Sequence, residues 1–134
     1  MDRKEQALAF HKKGYNCAQS VACSFCEALG TDMETTFKLA EPLGFGMGCM
    51  ETCGAVSAMG LVIGMKMSDG NLEEPKTKKE CYKMMKQLIE EFKEMNSSIV
   101  CSEIKGIETG EVLRSCDGCI EDAVALLDKH LMDL

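Results

Sequence analysis

Tryptophan is missing from this chain of 134 residues, and histidine, tyrosine and proline occur only twice each. The scarcity of histidine removes most zinc-hydrolase and acid–base constellations. His11 and His130 stand at opposite ends of the sequence, neither inside an H-E-x-x-H pattern, and each reads as an isolated solvated side chain. Positive charge is also short: 15 Lys/Arg face 22 Asp/Glu, a formal net charge of −7, and residues 68–134 alone carry 9 basic and 15 acidic side chains. A nucleic acid or an anionic membrane surface needs a basic footprint, so neither is expected as a partner.

Long apolar runs are lacking too. The longest stretch without a charge, Thr52 to Met65, falls short of the ~20 residues that span a bilayer, so no membrane insertion is expected. Gly44-x-Gly46-x-Gly48 misses the dinucleotide fingerprint, since Cys49 takes the place of the third glycine, and no G-K-[ST] phosphate loop occurs. Residues Met1 to Gln6 lead into an amphipathic pattern and not an apolar signal segment, which predicts a cytoplasmic protein with reduced thiols.

What is abundant is sulfur: nine Cys and eleven Met. An odd number of cysteines excludes complete pairing within the chain, and many cysteines in a reducing compartment point to metal or redox chemistry.

Helix punctuation recurs along the sequence while strand alternation is scarce. Asp2 caps a first helix running to about Lys13. Asn16 caps Cys17–Leu29, with Gly30 as its stop, and Asp32 opens a short helix ending before Pro42. Thr52 opens an apolar stretch over Cys53–Met67. The sharpest amphipathic pattern covers Pro75–Met95, one helical turn fits Val100–Ile104, and a last helix starts near Ser115. A length near the ~100–150 residues common for one domain completes the expectation: an all-α, single-domain bundle of five or six helices over residues 1–134.

Cysteine spacing carries the chemistry. Cys116-Asp117-Gly118-Cys119 is a C-x-x-C at a helix entrance, where the dipole and free N–H groups favour thiolate. Cys49 and Cys53 are i,i+4 neighbours, and Cys17 and Cys53 each follow a candidate cap. Cys23, Cys26 and Cys81 read as core filler.

These residues resemble the redox family known by the pattern C_GCAxxG_C_C. The resemblance rests on Asn16-Cys17-Ala18-Gln19, on Gly46-Met47-Gly48 with Glu51-Thr52-Cys53-Gly54-Ala55, on Cys101-Ser102-Glu103-Ile104-Lys105-Gly106, and on Cys116 with Ile120 and Ala123. Ala58 stands where the family pattern has its final glycine, and Cys49 where a larger residue is expected. The resemblance implies a redox role for Cys17, Cys53, Cys101 and Cys116, with Cys49 and Cys119 as additional thiols. Similar domains accompany split-Soret-type cytochromes, which implies an iron–sulfur cluster.

Three functions follow. The leading expectation is an iron–sulfur cluster for electron transfer or redox sensing, its metal ligands drawn from Cys17, Cys53, Cys101, Cys116, Cys49 and Cys119, with Gly48 and Gly54 giving backbone approach. The second is a cofactor-free thiol–disulfide oxidoreductase reacting through Cys53 and a partner such as Cys49 or Cys116. The third is a structural zinc site in an interaction domain, from Cys49, Cys53, Cys116 and Cys119. Expected partners are a redox protein or a small thiol, with a homodimer as a further option. The residues leave open whether the protein is an enzyme.

Overall fold

The computed structural model describes residues 1–132. Eight α-helices run through them: α1 (Arg3–Lys13), α2 (Cys17–Cys23), α3 (Cys26–Leu29), α4 (Met33–Ala40), α5 (Gly54–Met67), α6 (Lys78–Asn96), α7 (Cys101–Lys105) and α8 (Cys116–Leu131). No strand is formed among the described residues beyond an isolated antiparallel bridge between Thr52 and Val100. The all-α expectation holds, but eight helices replace the expected five or six.

Two local events raise the number. The run Cys17–Leu29 is not one helix. The Ser24 hydroxyl donates to Val21 O at 2.7 Å and the Phe25 N–H reaches back only to Ala22 O, so the ladder tightens and restarts as α3. This turn drives Phe25 fully into the core. The single turn expected at Val100–Ile104 closes as α7, stopped by Gly106 in the left-handed region at φ 70°.

Helix starts follow the side chains that can cap them. Asp2, Asn16, Asp32 and Ser115 each accept a hydrogen bond from the backbone N–H three residues on. At Asn16 the exchange is reciprocal, because Gln19 Oε1 accepts from the Asn16 N–H at 3.0 Å. α5 differs: its cap is Cys53 and not Thr52, which stands one residue earlier, opposite Val100 in the bridge.

α5 is the central element, packed against α2, α6 and α8, and its residues Ala55, Val56, Ala58, Met59 and Val62 have no exposed surface. Phe25, Leu88, Phe92, Ile120, Leu127 and Leu131 fill the remaining space around it. Among the described residues no helix is long and apolar enough to cross a membrane.

Candidate functional site

Five thiols meet at one end of the bundle. Cys17 is the first residue of α2, Cys53 caps α5, Cys101 opens α7, and Cys116 opens α8 with Cys119 one turn further along. All five line one cavity of about 170 Å³, together with His11, Asn16, Phe45, Gly54, Ile104, Lys105 and Arg114. Cys53, Cys101 and Cys119 are buried, Cys17 is half-buried, and Cys116 is exposed.

Backbone hydrogen bonds set this arrangement. The Cys53 N–H donates to Ile99 O at 2.7 Å and the Cys101 N–H to Glu51 O at 2.6 Å, the two bonds flanking the Thr52–Val100 bridge. The starts of α5 and α7 are thereby held side by side. Asn16 Nδ2 donates to Glu41 O at 2.8 Å, tying the start of α2 to the turn before Gly44. Gly44 has no room for a side chain, since a Cβ there would overlap the Asn16 side chain.

The thiols differ in acidity. Cys53 is pushed down to about 7, chiefly by a hydrogen bond from the Cys119 thiol, against the opposing effect of burial. The N–H groups of Ala55 and Val56 and the nearby Lys105 ammonium act in the same direction. Cys119 moves upward for the complementary reason: its proton is held by Cys53, and its burial and the adjacent Cys53 charge oppose a second thiolate. Burial raises Cys17, partly offset by a hydrogen bond from the Phe45 N–H. Burial also raises Cys101, offset in part by Lys105. Among these four thiols Cys53 alone is moved toward thiolate.

Cys49 lies elsewhere. It is exposed, outside the lining, with its thiol 3.6 Å from Gly46 O. The reason is the loop before Cys53, where Phe45, Gly46, Met47 and Gly48 all take positive φ and turn residue 49 away. Gly48, at φ 76°, meets nothing within 4 Å of a Cβ position, so its requirement is backbone conformation and not approach to a sulfur. Gly54 does line the cavity. Without Cys49, the zinc set of Cys49, Cys53, Cys116 and Cys119 has only three members in one place. Cys23 and Cys26 are buried outside the cavity, and Cys81 is half-buried on α6.

Three nitrogen-bearing side chains of the wall were not among the expected site residues. His11 was expected to be a solvated side chain, yet it lines the cavity with Nδ1 2.7 Å from Asp117 Oδ1. Lys105 and Arg114 each lie within five residues of a cavity cysteine in the sequence, a proximity that is suggestive only once the cavity is known.

Thiolates suit iron and zinc alike, and N–H groups directed at the Cys17 and Cys53 sulfurs suit thiolate ligands. Among the described residues, however, no three His, Cys, Asp or Glu side chains stand where one metal ion would be held.

The family described as "Putative redox-active protein (C_GCAxxG_C_C)" matches residues 15–130. No curated protein and no solved structure gives a match.

Proposed function

Since the chain belongs to the C_GCAxxG_C_C family across residues 15–130, we propose that its cavity is a thiol redox centre with Cys53 as attacking thiolate and Cys119 as resolving thiol. The observation that carries this reading is that Cys53 and Cys119, both buried, stand on the wall of one cavity, where the Cys119 thiol lowers the pKa of Cys53. Only the thiolate attacks a disulfide, and the best attacking thiol has a pKa near ambient pH. Cys53, at about 7, meets that condition in neutral solution.

The order of events follows from what holds the Cys119 proton. While Cys53 is an anion, Cys119 is kept protonated beside it. Once the Cys53 sulfur is bound in a mixed disulfide it carries no charge, so ionisation of Cys119 becomes easier and its attack on Cys53 follows. The cavity, at about 170 Å³, is below the ~300–1,000 Å³ of pockets that enclose drug-sized ligands. It suits one end of a small thiol compound, not an enclosed nicotinamide or flavin.

Peptide mapping after mild oxidation tests the reading. A Cys53–Cys119 linkage is the expected product, and a persistently free Cys119 would count against it.

A second reading is favoured by the convergence of Cys17, Cys53, Cys101 and Cys116 from separate segments. These four would hold an iron–sulfur cluster, which when bound supplies one-electron transfer. In that state Cys119 donates its hydrogen bond to a ligand sulfur, and the N–H groups near Cys17 and Cys53 stabilise thiolate. Iron content and visible charge-transfer absorption of anaerobically purified protein separate the two readings.

A further inference from the structure

The charge of the cavity runs against that of the chain. The protein carries a formal −7, yet no Asp or Glu belongs to the lining, whose charged side chains are Lys105 and Arg114. Lys105 makes no ion pair among the described residues, and its ammonium stands 5.5 Å from the Phe45 ring centroid. Arg114 is held by one carboxylate behind the wall: Nε lies 3.1 Å from Asp122 Oδ2 and Nη2 3.2 Å from Asp122 Oδ1. Asn96 Nδ2 fixes the same carboxylate from the buried side at 3.1 Å. Gly118 makes the space, since a Cβ there would overlap the guanidinium. A guanidinium has five N–H donors, so two bonds to Asp122 leave donors free to face the cavity. His11 lies on the same wall, its Nδ1 2.7 Å from Asp117 Oδ1.

We propose that the oxidant of the Cys53–Cys119 pair is a small disulfide bearing carboxylate groups, which Lys105 and Arg114 select by charge. This rests on the thiol reading above and adds the substrate class. The Cys53 thiolate attacks one sulfur of R–S–S–R, so that the Cys53–S–S–R bond forms, the original S–S bond breaks, and one thiolate RS⁻ leaves. Cys119 gives up its proton to that departing thiolate and attacks the Cys53 sulfur. The Cys53–Cys119 disulfide forms and the second RS⁻ leaves, taking up the proton that Cys53 had lost to solvent. Two protein thiols are oxidised by two electrons, and one disulfide is reduced to two thiols. The carboxylates sit by the cations in both steps, which keeps the mixed disulfide in place for resolution.

The test uses the fully reduced chain and three small disulfides of similar size. Dithiodiglycolate is a dianion, bis-hydroxyethyl disulfide is neutral, and cystamine is a dication. The rate at which Cys53 and Cys119 are linked is read by acid quench and mass spectrometry. Each rate is divided by that of the same disulfide with mercaptoethanol, which removes differences in intrinsic reactivity. The chain's overall −7 alone would favour cystamine.

The expected order is the reverse: dianion fastest and dication slowest, by about tenfold at low ionic strength, the lower end of steering by charged clefts. Added salt should narrow the spread. Lys105→Gln and Arg114→Gln should each shrink the dianion-to-neutral ratio. Lys83→Gln, on the exposed face of α6, should leave that ratio as it was. Equal normalised rates for the three disulfides, or cystamine fastest, would overturn the charge selection while the thiol reading stands. Failure of all three to link Cys53 to Cys119 would overturn the thiol reading and this proposal together.

Discussion

The Cys17 sulfur occupies the space that a side chain on Gly54 would need. A Cβ at that position would also press on Leu43 O and Gly44 Cα, so the first residue of α5 touches both the start of α2 and the turn that leads to the left-handed loop. Gly54→Ala is expected to destabilise the fold by about 1–3 kcal/mol, the usual range for overpacking a tight site. Chemical denaturation measures that loss, and faster alkylation of Cys17 in the variant would locate it.

Thiol acidity gives a second expectation. Alkylation of Cys53 by a small reagent should rise with pH around a midpoint near 7. Cys119→Ala removes the hydrogen bond that is the main cause, so the midpoint should move up toward the ~8.5 of an ordinary thiol, with roughly tenfold less thiolate at neutral pH. An unchanged midpoint would mean that Cys119 does not set the acidity of Cys53.

Ser98 holds the approach to α7. Its hydroxyl accepts from the Val100 N–H at 3.0 Å and donates to Glu103 Oε1 at 2.5 Å. Ser98→Ala loses both bonds and should cost about 1–2 kcal/mol, at ~1 kcal/mol per hydrogen bond. Cys101 should then react faster with alkylating reagents, because the turn that buries it is loosened. A variant with the wild-type Cys101 rate would assign the positioning to the Thr52–Val100 bridge alone.

Alkaline pH should weaken the fold. Cys17, Cys23, Cys101 and Cys119 are all raised, so they stay protonated in the folded chain while the unfolded chain ionises above the ~8.5 of a free thiol. The unfolded state then binds fewer protons, and stability falls as pH rises through that value. Cys53, lowered to about 7, acts in the opposite sense, but it is one group against four. Urea midpoints taken under reducing conditions at about pH 7 and about pH 9.5, on either side of that value, should decrease.

Much of the helical plan was legible because it is written in local chemistry. Asp2, Asn16 and Asp32 cap helices where they were expected to, the last helix starts after Ser115, near where it was expected, and the amphipathic run over Pro75–Met95 folds as Lys78–Asn96. The misreadings share a different origin. Thr52 looks like a cap by residue type, but its backbone pairs with Val100, a partner that no local window contains. The break after Cys23 reflects the burial of Phe25, a tertiary demand that outweighs helix continuity. The cavity shows the same division. Cys116 and Cys119 are i,i+3 on one helix, so their common side could be read from spacing. That the Cys119 proton belongs with Cys53 could not, because contact between two helices decides it.

Cys119 belongs to α8, the last helix described, and this has a consequence for the newborn protein. At ~5–20 residues per second, several seconds separate the synthesis of Cys53 from that of Cys119. Through that interval Cys53 has no Cys119 thiol beside it, and the part of the wall that Arg114 and Cys116 supply is missing. The growing chain therefore presents cysteines of ordinary reactivity. Chemical competence arrives only when α8 docks on α5, and a chain stalled before that point is a folding problem without also being a stray nucleophile.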